Sequence, residues 1–442
     1  MKKIRERCSG IDIGSREVFV SADGLDKVIS FQTYTADLKR LVQNLQDLGI
    51  ASVAMETTGV YWVILYELLE ASGIDVWLVD GRQTKQVPGR KTDVKDCQWI
   101  HELHSYGLLN RCHVTSGQLR SLRTYQRLRE EHIQNAARHV NHMHKALIQM
   151  NIRLPEVLSQ VHGKSGLAII RAILAGQRDK QALLKLCHVS IRKNKKEQIL
   201  KALEGSYKDE QLFALKQAYE GFQFYQGQIE ACDIEIEQIL NQMNKGKPEV
   251  VLKNKKRKPI RHHKPKVKDL GKKMVMAYEG VDATVLPGVN DYALLRLLGE
   301  VGPDLGKWPT SKHFTSWLGL SPGQNHSGKK RNNASKKGHR RAGQIFRQIA
   351  NNLMNTSKTT ALGAFGRRLR ARKGPYLATK AVARKLAQMF WRLMVHGNDF
   401  VERGIEHYQK QIQEQKVRSV KKLAKELNLV LANEIDNNLL IK

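Results

Sequence analysis

The stretch Ser9–Ser21, SGIDIGSREVFVS, decides the fold class of the first part of this 442-residue chain. Ser9–Ile13 and Val18–Ser21 are short runs rich in isoleucine and valine, and Gly14-Ser15-Arg16 between them is a turn sequence. The pattern predicts a β-hairpin. Asp12 lies in the first strand between two isoleucines, where a charge is costly unless it has a partner.

Strand and helix patterns alternate from this hairpin to about residue 110. Further strands are predicted at Val28–Phe31, Ala51–Met55 and Asp75–Val79, and helices at Ala36–Leu48, Val60–Ala71 and Asp93–Tyr106. Three antiparallel strands followed by α/β alternation is the order of a ribonuclease-H-like (RuvC-like) domain, while periodicity alone establishes only the α/β class. We therefore predict that residues 1–110 form a domain of this kind.

Residues 115–245 have the apolar spacing of long helices. Apolar side chains recur every three or four residues in two series: Ile133, Ala136, Val140, Met143, Leu147, Met150, Leu154; and Leu212, Leu215, Tyr219, Phe222, Ile229, Ile236, Leu240, Met243. Two heptad-like helices that flank a smaller helical segment predict an antiparallel coiled-coil arm. An ordinary helical bundle would give the same spacing, so the sequence leaves both open.

The remaining chain divides by composition. Residues 245–273 contain 13 basic and 2 acidic residues with three prolines, which indicates a linker whose cations follow phosphates. Residues 276–400 predict a second, mostly helical domain, and residues 401–442 an amphipathic helical tail. Leu286–Val289 (LPGV) before the helical Tyr292–Leu298 resembles a helix-hairpin-helix, which offers backbone N–H groups to a phosphate.

The charge of the chain is large and uneven. Lys and Arg number 75 against 42 Asp and Glu, a net charge of +33. Residues 1–110 hold 13 basic and 15 acidic residues, so the whole excess lies after them. Between Lys329 and Asn398 there are 18 Lys and Arg and no acid. A solvated basic face is a poor explanation for so long a run, and the charge predicts a nucleic-acid partner.

Cysteine usage and hydropathy exclude several classes. The five cysteines (Cys8, Cys97, Cys112, Cys187, Cys232) are odd in number, scattered and without a C-x-x-C pair. This argues against a disulfide framework and a zinc ribbon and fits a reducing cytoplasm. No apolar stretch is long enough to span a bilayer, and the basic start MKKIRER does not predict a signal peptide.

Four carboxylates are candidates for metal chemistry. Asp12 lies in the first strand and Glu56 ends the Val53–Met55 run, and in a ribonuclease-H-like sheet those two strands are neighbours. Asp93 and Asp96 stand three residues apart at a helix start and therefore share one face. Four convergent carboxylates suit two Mg²⁺ ions that bracket the attacking and leaving oxygens of a phosphoryl transfer.

Each of these residues has an alternative interpretation. Asp93 can be a helix N-cap and Asp96 a partner of the helix dipole. Asp12–Ser15 also resembles the phosphate loop of actin-like sugar kinases, but a second Asp-x-Gly loop and a glycine pair for adenosine are missing from the sequence. His101 and His104 are three residues apart instead of the four of a zinc helix, and predict an exposed helical face. His262-His263 lacks a spaced partner for a metal.

Ser327 is a candidate nucleophile. Gly323–Lys329 spells G-x-x-x-x-G-K, but Lys330 stands where a P-loop needs Ser or Thr, and Trp317–Pro322 before it reads as a helix end and a turn. Ser327 is predicted on a glycine-bearing loop among cations, which stabilise an alkoxide and the developing charge on a phosphodiester. A turn serine that bonds only to backbone is the alternative.

Six ordered blocks, spread over nearly the whole chain, resemble the DEDD transposases of the IS110 insertion-sequence family, including its IS1111 branch. GIDIGS (10–15), METTGVYW (55–62) and KTDVKDCQWI (91–100) are similar to the RuvC-like blocks of that family. LPGVNDYALLRLLGEVG (286–302), SWLGLSP (316–322) and HSGKK…SKKGHRR (326–341) are similar to its C-terminal transposase domain. The long basic linker departs from the family pattern.

The resemblance implies roles for particular residues. Mg²⁺ or Mn²⁺ would be bound by Asp12, Glu56, Asp93 and Asp96, and Ser327 would attack DNA and hold it as a phosphoserine. Ser321 and Ser335 lie close enough in sequence to remain alternative nucleophiles. The expected nucleic-acid contacts around the serine are Lys329, Lys330, Arg331, Lys336, Lys337, Arg340 and Arg341.

The resemblance also implies partners. These are donor and target DNA, a structured non-coding bridge RNA as guide, and further copies of the chain in a dimer or tetramer that combines carboxylates and serine from different subunits. A bacterial, nucleoid-associated cytoplasmic location follows. The alternatives are a RuvC-like nuclease that uses metal-activated water and a non-enzymatic RNA/DNA-binding architectural protein, against which the four ordered carboxylates argue.

Overall fold

The computed structural model describes residues 2–57, 59–84, 92–115, 117–252, 257–322, 325–327, 330–332, 340–356 and 360–428. The chain divides into two units, Met1–Val114 and Thr115–Lys442. The first is a mixed α/β unit and the second is mostly helical, as the sequence predicts. Within the described part of the chain, no helix has the length and apolarity needed to cross a membrane.

A five-stranded sheet forms the centre of the first unit, in the order β3-β2-β1-β4-β5. The strands are β1 (Cys8–Ile13), β2 (Glu17–Ala22), β3 (Ile29–Gln32), β4 (Ser52–Glu56) and β5 (Asp75–Val79), and the helices are α1 (Thr35–Asp47), α2 (Trp62–Ala71), α3 (Gly81–Thr84) and α4 (Asp93–Ser105). The first three strands are antiparallel, and β4 and β5 run parallel to β1. The ribonuclease-H-like prediction is confirmed.

The side chains of β1 alternate between the two faces of the sheet. Ile11 and Ile13 pack into the core that also contains Leu41 of α1 and Leu65 of α2. Burial of side chains of this size contributes about 1.5–3 kcal/mol each. Asp12 lies on the opposite face of the strand, which α4 covers.

Gly10 allows α4 to approach β1 closely. A Cβ at this position would lie 2.1 Å from the backbone nitrogen of His101 and 2.6 Å from the carbonyl oxygen of Cys97. His104 is fully buried, and its Nε2 lies 3.0 Å from Ser52 Oγ. The prediction of an exposed His101–His104 face is therefore wrong, because this face of α4 packs on the sheet.

The second unit is built mainly from helices. They are α5 (Gly117–Gln149), α6 (Leu154–Val157), α7 (Lys164–Leu174), α8 (Lys180–Lys185), α9 (Val189–Ala202), α10 (Asp209–Met243), α11 (Leu270–Ala277), α12 (Asp291–Val301), α13 (Ser311–Trp317), α14 (Arg341–Thr356), α15 (Ala361–Lys373), α16 (Pro375–His396) and α17 (Asn398–Glu426). A 3₁₀ helix spans Ala283–Val285, and β6 (Asn325–Ser327) pairs with β7 (Lys330–Asn332).

The long helices α5 and α10 lie antiparallel against each other. Arg129 pairs with Asp233, and further along α5 the His139 ring lies where a side chain at Gly221 would be. One end of the pair shares a core with α7, α8 and α9, and the other end shares a core with α11 to α16. Two long helices flanking a smaller helical segment are confirmed, and coiled-coil geometry stays a prediction.

The basic segment after α10 makes contacts within its own unit. Arg257 donates to Asp282 Oδ2 at 2.7 Å and also pairs with Asp291. The backbone nitrogen of Lys266 donates to Asp233 at 2.9 Å, and Val267 is buried. Several cations that the sequence assigns to phosphates are therefore already paired with carboxylates of this chain.

The predicted LPGV turn precedes α12. Gly288 has a φ of 78°, and a Cβ there would meet Ile349 at 2.8 Å, so both the backbone conformation and the packing require glycine. Asn290 caps the helix by accepting from the Ala293 nitrogen at 2.9 Å. The element before the turn is the 3₁₀ helix, and a helix-hairpin-helix function stays a prediction.

Candidate active site

Asp12 and Glu56 lie at the same edge of the sheet. β1 and β4 are parallel neighbours, as predicted, and Ile11 pairs with Met55. Asp12 follows Ile11, and Glu56 is the last residue of β4. Because the carboxyl ends of parallel strands meet at one edge of a sheet, the two acidic residues lie at the ends of adjacent strands, where ligands commonly bind in α/β folds.

Asp93 and Asp96 enter this edge from the first turn of α4. Thr92 is the N-cap residue and makes no side-chain capping bond, so the alternative interpretation of Asp93 as the N-cap is wrong. Gly10 holds α4 directly on β1 at Cys97. Asp12 is on the same face of β1 as Gly10, and this places the first turn of α4 beside it.

The pKa of Asp12 shows that the other three acidic residues lie near enough to act on it. The pKa of the Asp12 carboxyl is raised to about 6, first by burial and then by the charges of Asp93, Asp96 and Glu56, in that order of importance. Burial, followed by the charge of Asp12, also raises the pKa of the neighbouring Cys97 thiol, to about 12. The ionised form of Asp12 is therefore less stable than that of an ordinary exposed aspartate, and a positive charge joining the group would stabilise it.

The donor set fits a hard divalent cation. Four carboxylates supply only oxygen ligands, which Mg²⁺ and Mn²⁺ prefer. Among the residues that the structure describes, no three of the four bring their ligand atoms within 4.8 Å of one another. The carboxylates thus form a loose group around the end of β1.

Two residues that contact or make room for Glu56 were not predicted from the sequence. Thr84 Oγ1 donates to Glu56 Oε2 at 2.8 Å, and a Cβ at Gly81 would lie 2.2 Å from Glu56 Oε1. Both belong to the four-residue helix α3. The absence of a side chain at Gly81 makes room for the carboxylate, and Thr84 orients it. A helix this short has no periodicity from which it could have been predicted.

Ser327 ends strand β6 and pairs with Lys330 of β7. The predicted loop is therefore wrong at this position, because backbone pairing with Lys330–Asn332 places the serine in a small antiparallel sheet. Of the alternatives, Ser321 Oγ lies 3.5 Å from Thr315 Oγ1. Lys329, Lys336, Lys337 and Ser335 lie outside the described residues.

Two of the predicted nucleic-acid contacts are described with their side chains. The Arg340 guanidinium lies 5.2 Å from the centre of the Trp317 ring, and Arg340 is exposed. Arg341 begins α14, and its Nη1 lies 3.8 Å from Glu130 Oε2. The preceding α13 ends at Trp317, which confirms the predicted helix end before Gly323 and argues against a P-loop.

The comparisons with known protein families agree with this arrangement. Residues 9–152 match the model for IS110-type DEDD transposases, described as a transposase, and hold all four acidic residues. Residues 283–363 match the model described as the transposase IS116/IS110/IS902 family and include Ser327. A search of curated proteins finds no match. The chain is therefore an enzyme of the DNA transposase class and belongs to the IS110 family of DEDD transposases.

Proposed function

We propose that this insertion-sequence transposase cuts and exchanges DNA strands through a covalent phosphoserine at Ser327, with divalent cations at the sheet edge of the first unit. The observation that carries the metal part is the raised pKa of Asp12, caused by burial and by three other carboxylates. Like charges gathered at the end of a strand are unfavourable by themselves and become favourable around a cation.

The four carboxylates would hold Mg²⁺ or Mn²⁺. When bound, the cations polarise the scissile phosphate and stabilise negative charge on its oxygens. Thr84 holds Glu56 in one orientation, and Gly10 holds the start of α4 at the same edge. Asp93 and Asp96 are thereby kept beside Asp12.

The nucleophile in this proposal is the Ser327 hydroxyl. Its oxygen forms a bond to the scissile phosphorus, the hydroxyl proton leaves to solvent, and the bond from phosphorus to the DNA 3′ oxygen breaks to give a free 3′-OH. A 3′-OH from the second DNA then attacks the phosphoserine and releases the serine. The number of phosphodiester bonds is conserved, so no ATP is needed. The backbone of Lys330 pairs with that of Ser327, and Lys330 and Arg331 are residue types whose charge stabilises such a transition state.

The partners in this proposal are donor DNA, target DNA and a structured guide RNA. The support is the charge of +33, its concentration after residue 110, and the resemblance of the sequence to bridge-RNA-guided recombinases. The proposal includes a homo-oligomer in which carboxylates and Ser327 come from different subunits.

The test is a reaction of the full-length protein with DNA, Mg²⁺ and its flanking RNA, stopped by denaturation. A serine nucleophile gives protein attached to a DNA 5′ end, and Ser327→Ala loses both the adduct and cleavage. Ser321→Ala is the matched control and should keep both. Nicking without an adduct, retained in Ser327→Ala, would identify a water-dependent nuclease instead. A protein that binds DNA and RNA without any cleavage would be architectural.

A further inference from the structure

A second group of ligand-type side chains lies at the opposite end of β1 from Asp12. Cys8 begins β1, Asp23 follows the end of β2, and His101 lies on α4. Their ligand atoms all lie within 4.8 Å of one another, the only group of three His, Cys, Asp or Glu residues to do so in the described ranges. Cys8 Sγ is 3.6 Å from Asp23 Oδ2, and His101 Nε2 is 3.5 Å from Asp23 Oδ1.

The His101 ring is fixed in a way that leaves one nitrogen unsatisfied. Nδ1 lies 3.1 Å from Ser21 Oγ. Among the described residues, Nε2 is buried and makes no well-formed hydrogen bond, and Asp23 Oδ1 lies 3.5 Å from it. In a metal-binding histidine, a hydrogen bond at the second ring nitrogen fixes the ring and its tautomer, and Ser21 supplies such a bond here.

Asp23 is held rigidly toward the other two residues. The Cys8 nitrogen donates to Asp23 Oδ2 at 3.1 Å, and the Asp23 nitrogen donates to the Cys8 carbonyl oxygen at 3.0 Å. Lys3 Nζ also donates to Oδ1 at 3.0 Å, but its side chain is 51% exposed. An exposed ion pair of this kind contributes about 0–1 kcal/mol, so Lys3 can give way to a cation held by three ligands.

We propose that Cys8, Asp23 and His101 bind a Zn²⁺ ion, with water as the fourth ligand. Tetrahedral zinc with ligand bonds of about 2.0–2.3 Å separates neighbouring ligand atoms by roughly 3.3–3.8 Å, and one ligand atom from each of the three residues already lies within 4.8 Å of the other two. A mixed set of sulfur, nitrogen and oxygen favours zinc over magnesium. The inference does not depend on the proposed function, because the two sites share no residue.

Binding at this site must release a proton from Cys8. Without metal the thiol stays protonated, because burial and the charge of Asp23 raise its pKa to about 12, while Lys3 and Arg5 lower it only in part. Burial lowers the pKa of His101, so its ring is already neutral and ready to act as a ligand.

The site would act on α4 as a positioning device. His101 lies on the same helix as Asp93 and Asp96. An ion shared by Cys8, Asp23 and His101 ties this helix to the start of β1 and to the end of β2. The metal ion and the close contact of α4 with Gly10 would together fix the position of the helix that carries two of the four acidic residues.

Cobalt provides a direct test, because a thiolate bound to Co²⁺ gives a ligand-to-metal charge-transfer absorption. Full-length metal-free protein is titrated with Co²⁺ in excess Mg²⁺, and one equivalent should produce the band and be displaced by Zn²⁺. Cys8→Ser and Asp23→Asn should lose the band or weaken binding at least tenfold, with folding checked by circular dichroism.

Cys97→Ser is the matched control, since Cys97 is buried in the same unit but lies beside Asp12. It should keep the band, as should Asp12→Asn. Loss of the band in Cys97→Ser but not in Cys8→Ser would place cobalt at the carboxylate edge and overturn the proposal. A folded wild-type protein that gives no thiolate band would overturn it as well.

Discussion

The two units of the chain differ in the sign and the placement of their charged side chains. In the first unit, acidic residues gather at one edge of the sheet, where burial and the charges of these neighbours raise the pKa of Asp12. In the second unit, cations are either paired within the chain, as Arg129 with Asp233 and Arg257 with Asp282, or exposed, as Arg340 is. Charge of one sign that gathers in one place is stabilised by a partner of the opposite sign. We therefore expect the first unit to bind a cation and the second unit to bind a polyanion.

The largest expected effect tests the acidic edge. Asp12→Asn should reduce DNA cleavage by at least about a hundredfold, because even the outer partners of metal ligands cost roughly 10–100-fold when they are removed. Cleavage is measured on labelled DNA with saturating Mg²⁺. Asp26→Asn removes the same charge from an exposed position of the same unit and should leave the rate unchanged. A near-native rate in Asp12→Asn would remove this residue from the metal site.

The next effect concerns the contact that builds this edge. Gly10→Ala should destabilise the first unit by about 3 kcal/mol, because its Cβ would lie 2.1 Å from the backbone of α4 and neither element can yield freely. Chemical denaturation measures the decrease in the free energy of unfolding. Gly227→Ala, a helical position with open space around it, should instead be neutral or slightly stabilising. Unchanged stability in Gly10→Ala would contradict the close packing of α4 on β1.

The raised pKa of Asp12 predicts a pH dependence of stability in the absence of divalent cations. The folded carboxyl keeps its proton to about pH 6, while the unfolded one releases it near 3.8, so the folded state binds more protons between these values. The free energy of unfolding should fall as the pH rises through this window. We expect about 1–2 kcal/mol after solvent screening, measured by denaturation. Asp12→Asn should flatten this part of the curve, and an unchanged slope would mean that another group is responsible.

The smallest expected effect concerns DNA binding by the exposed arginines of the second unit. Arg340→Gln with Arg341→Gln should weaken DNA binding several-fold and reduce the slope of log affinity against log salt by about 0.9 for each phosphate that the protein no longer neutralises. Binding is measured by fluorescence anisotropy over a salt series. Arg40→Gln, an exposed arginine of the first unit, is the control and should change neither quantity. Equal effects of both changes would mean that the DNA surface is not confined to the second unit.

The strands and helices of the first unit could be predicted because burial leaves a clear pattern in sequence. The isoleucines around Asp12 and the run before Glu56 predicted two adjacent strands, and the pairing of β1 with β4 confirmed them. Groups of side chains that come together only through contacts between distant parts of the chain could not be predicted from the sequence. The group of Cys8, Asp23 and His101 joins residues far apart in the chain, and no local spacing indicates it.

Two further features show that the composition of a short segment does not by itself predict its structure. The proline- and lysine-rich segment after α10 predicts a linker, although Arg257 pairs with two acidic residues that come later in the chain. The strand at Ser327 forms only through its pairing with β7, and three residues contain too little pattern to predict it. In both cases the partner, rather than the segment itself, decides the structure.

The central claim, that the acidic edge of the first unit is a cation site, is tested most directly by Mn²⁺ binding to the full-length protein. Free Mn²⁺ is followed by electron paramagnetic resonance during a titration near neutral pH, for the wild type, Asp12→Asn and Asp26→Asn. With a cation site at this edge, the wild type and Asp26→Asn should bind Mn²⁺, and Asp12→Asn should bind it at least tenfold more weakly. Equal Mn²⁺ affinity in all three proteins would contradict the central claim.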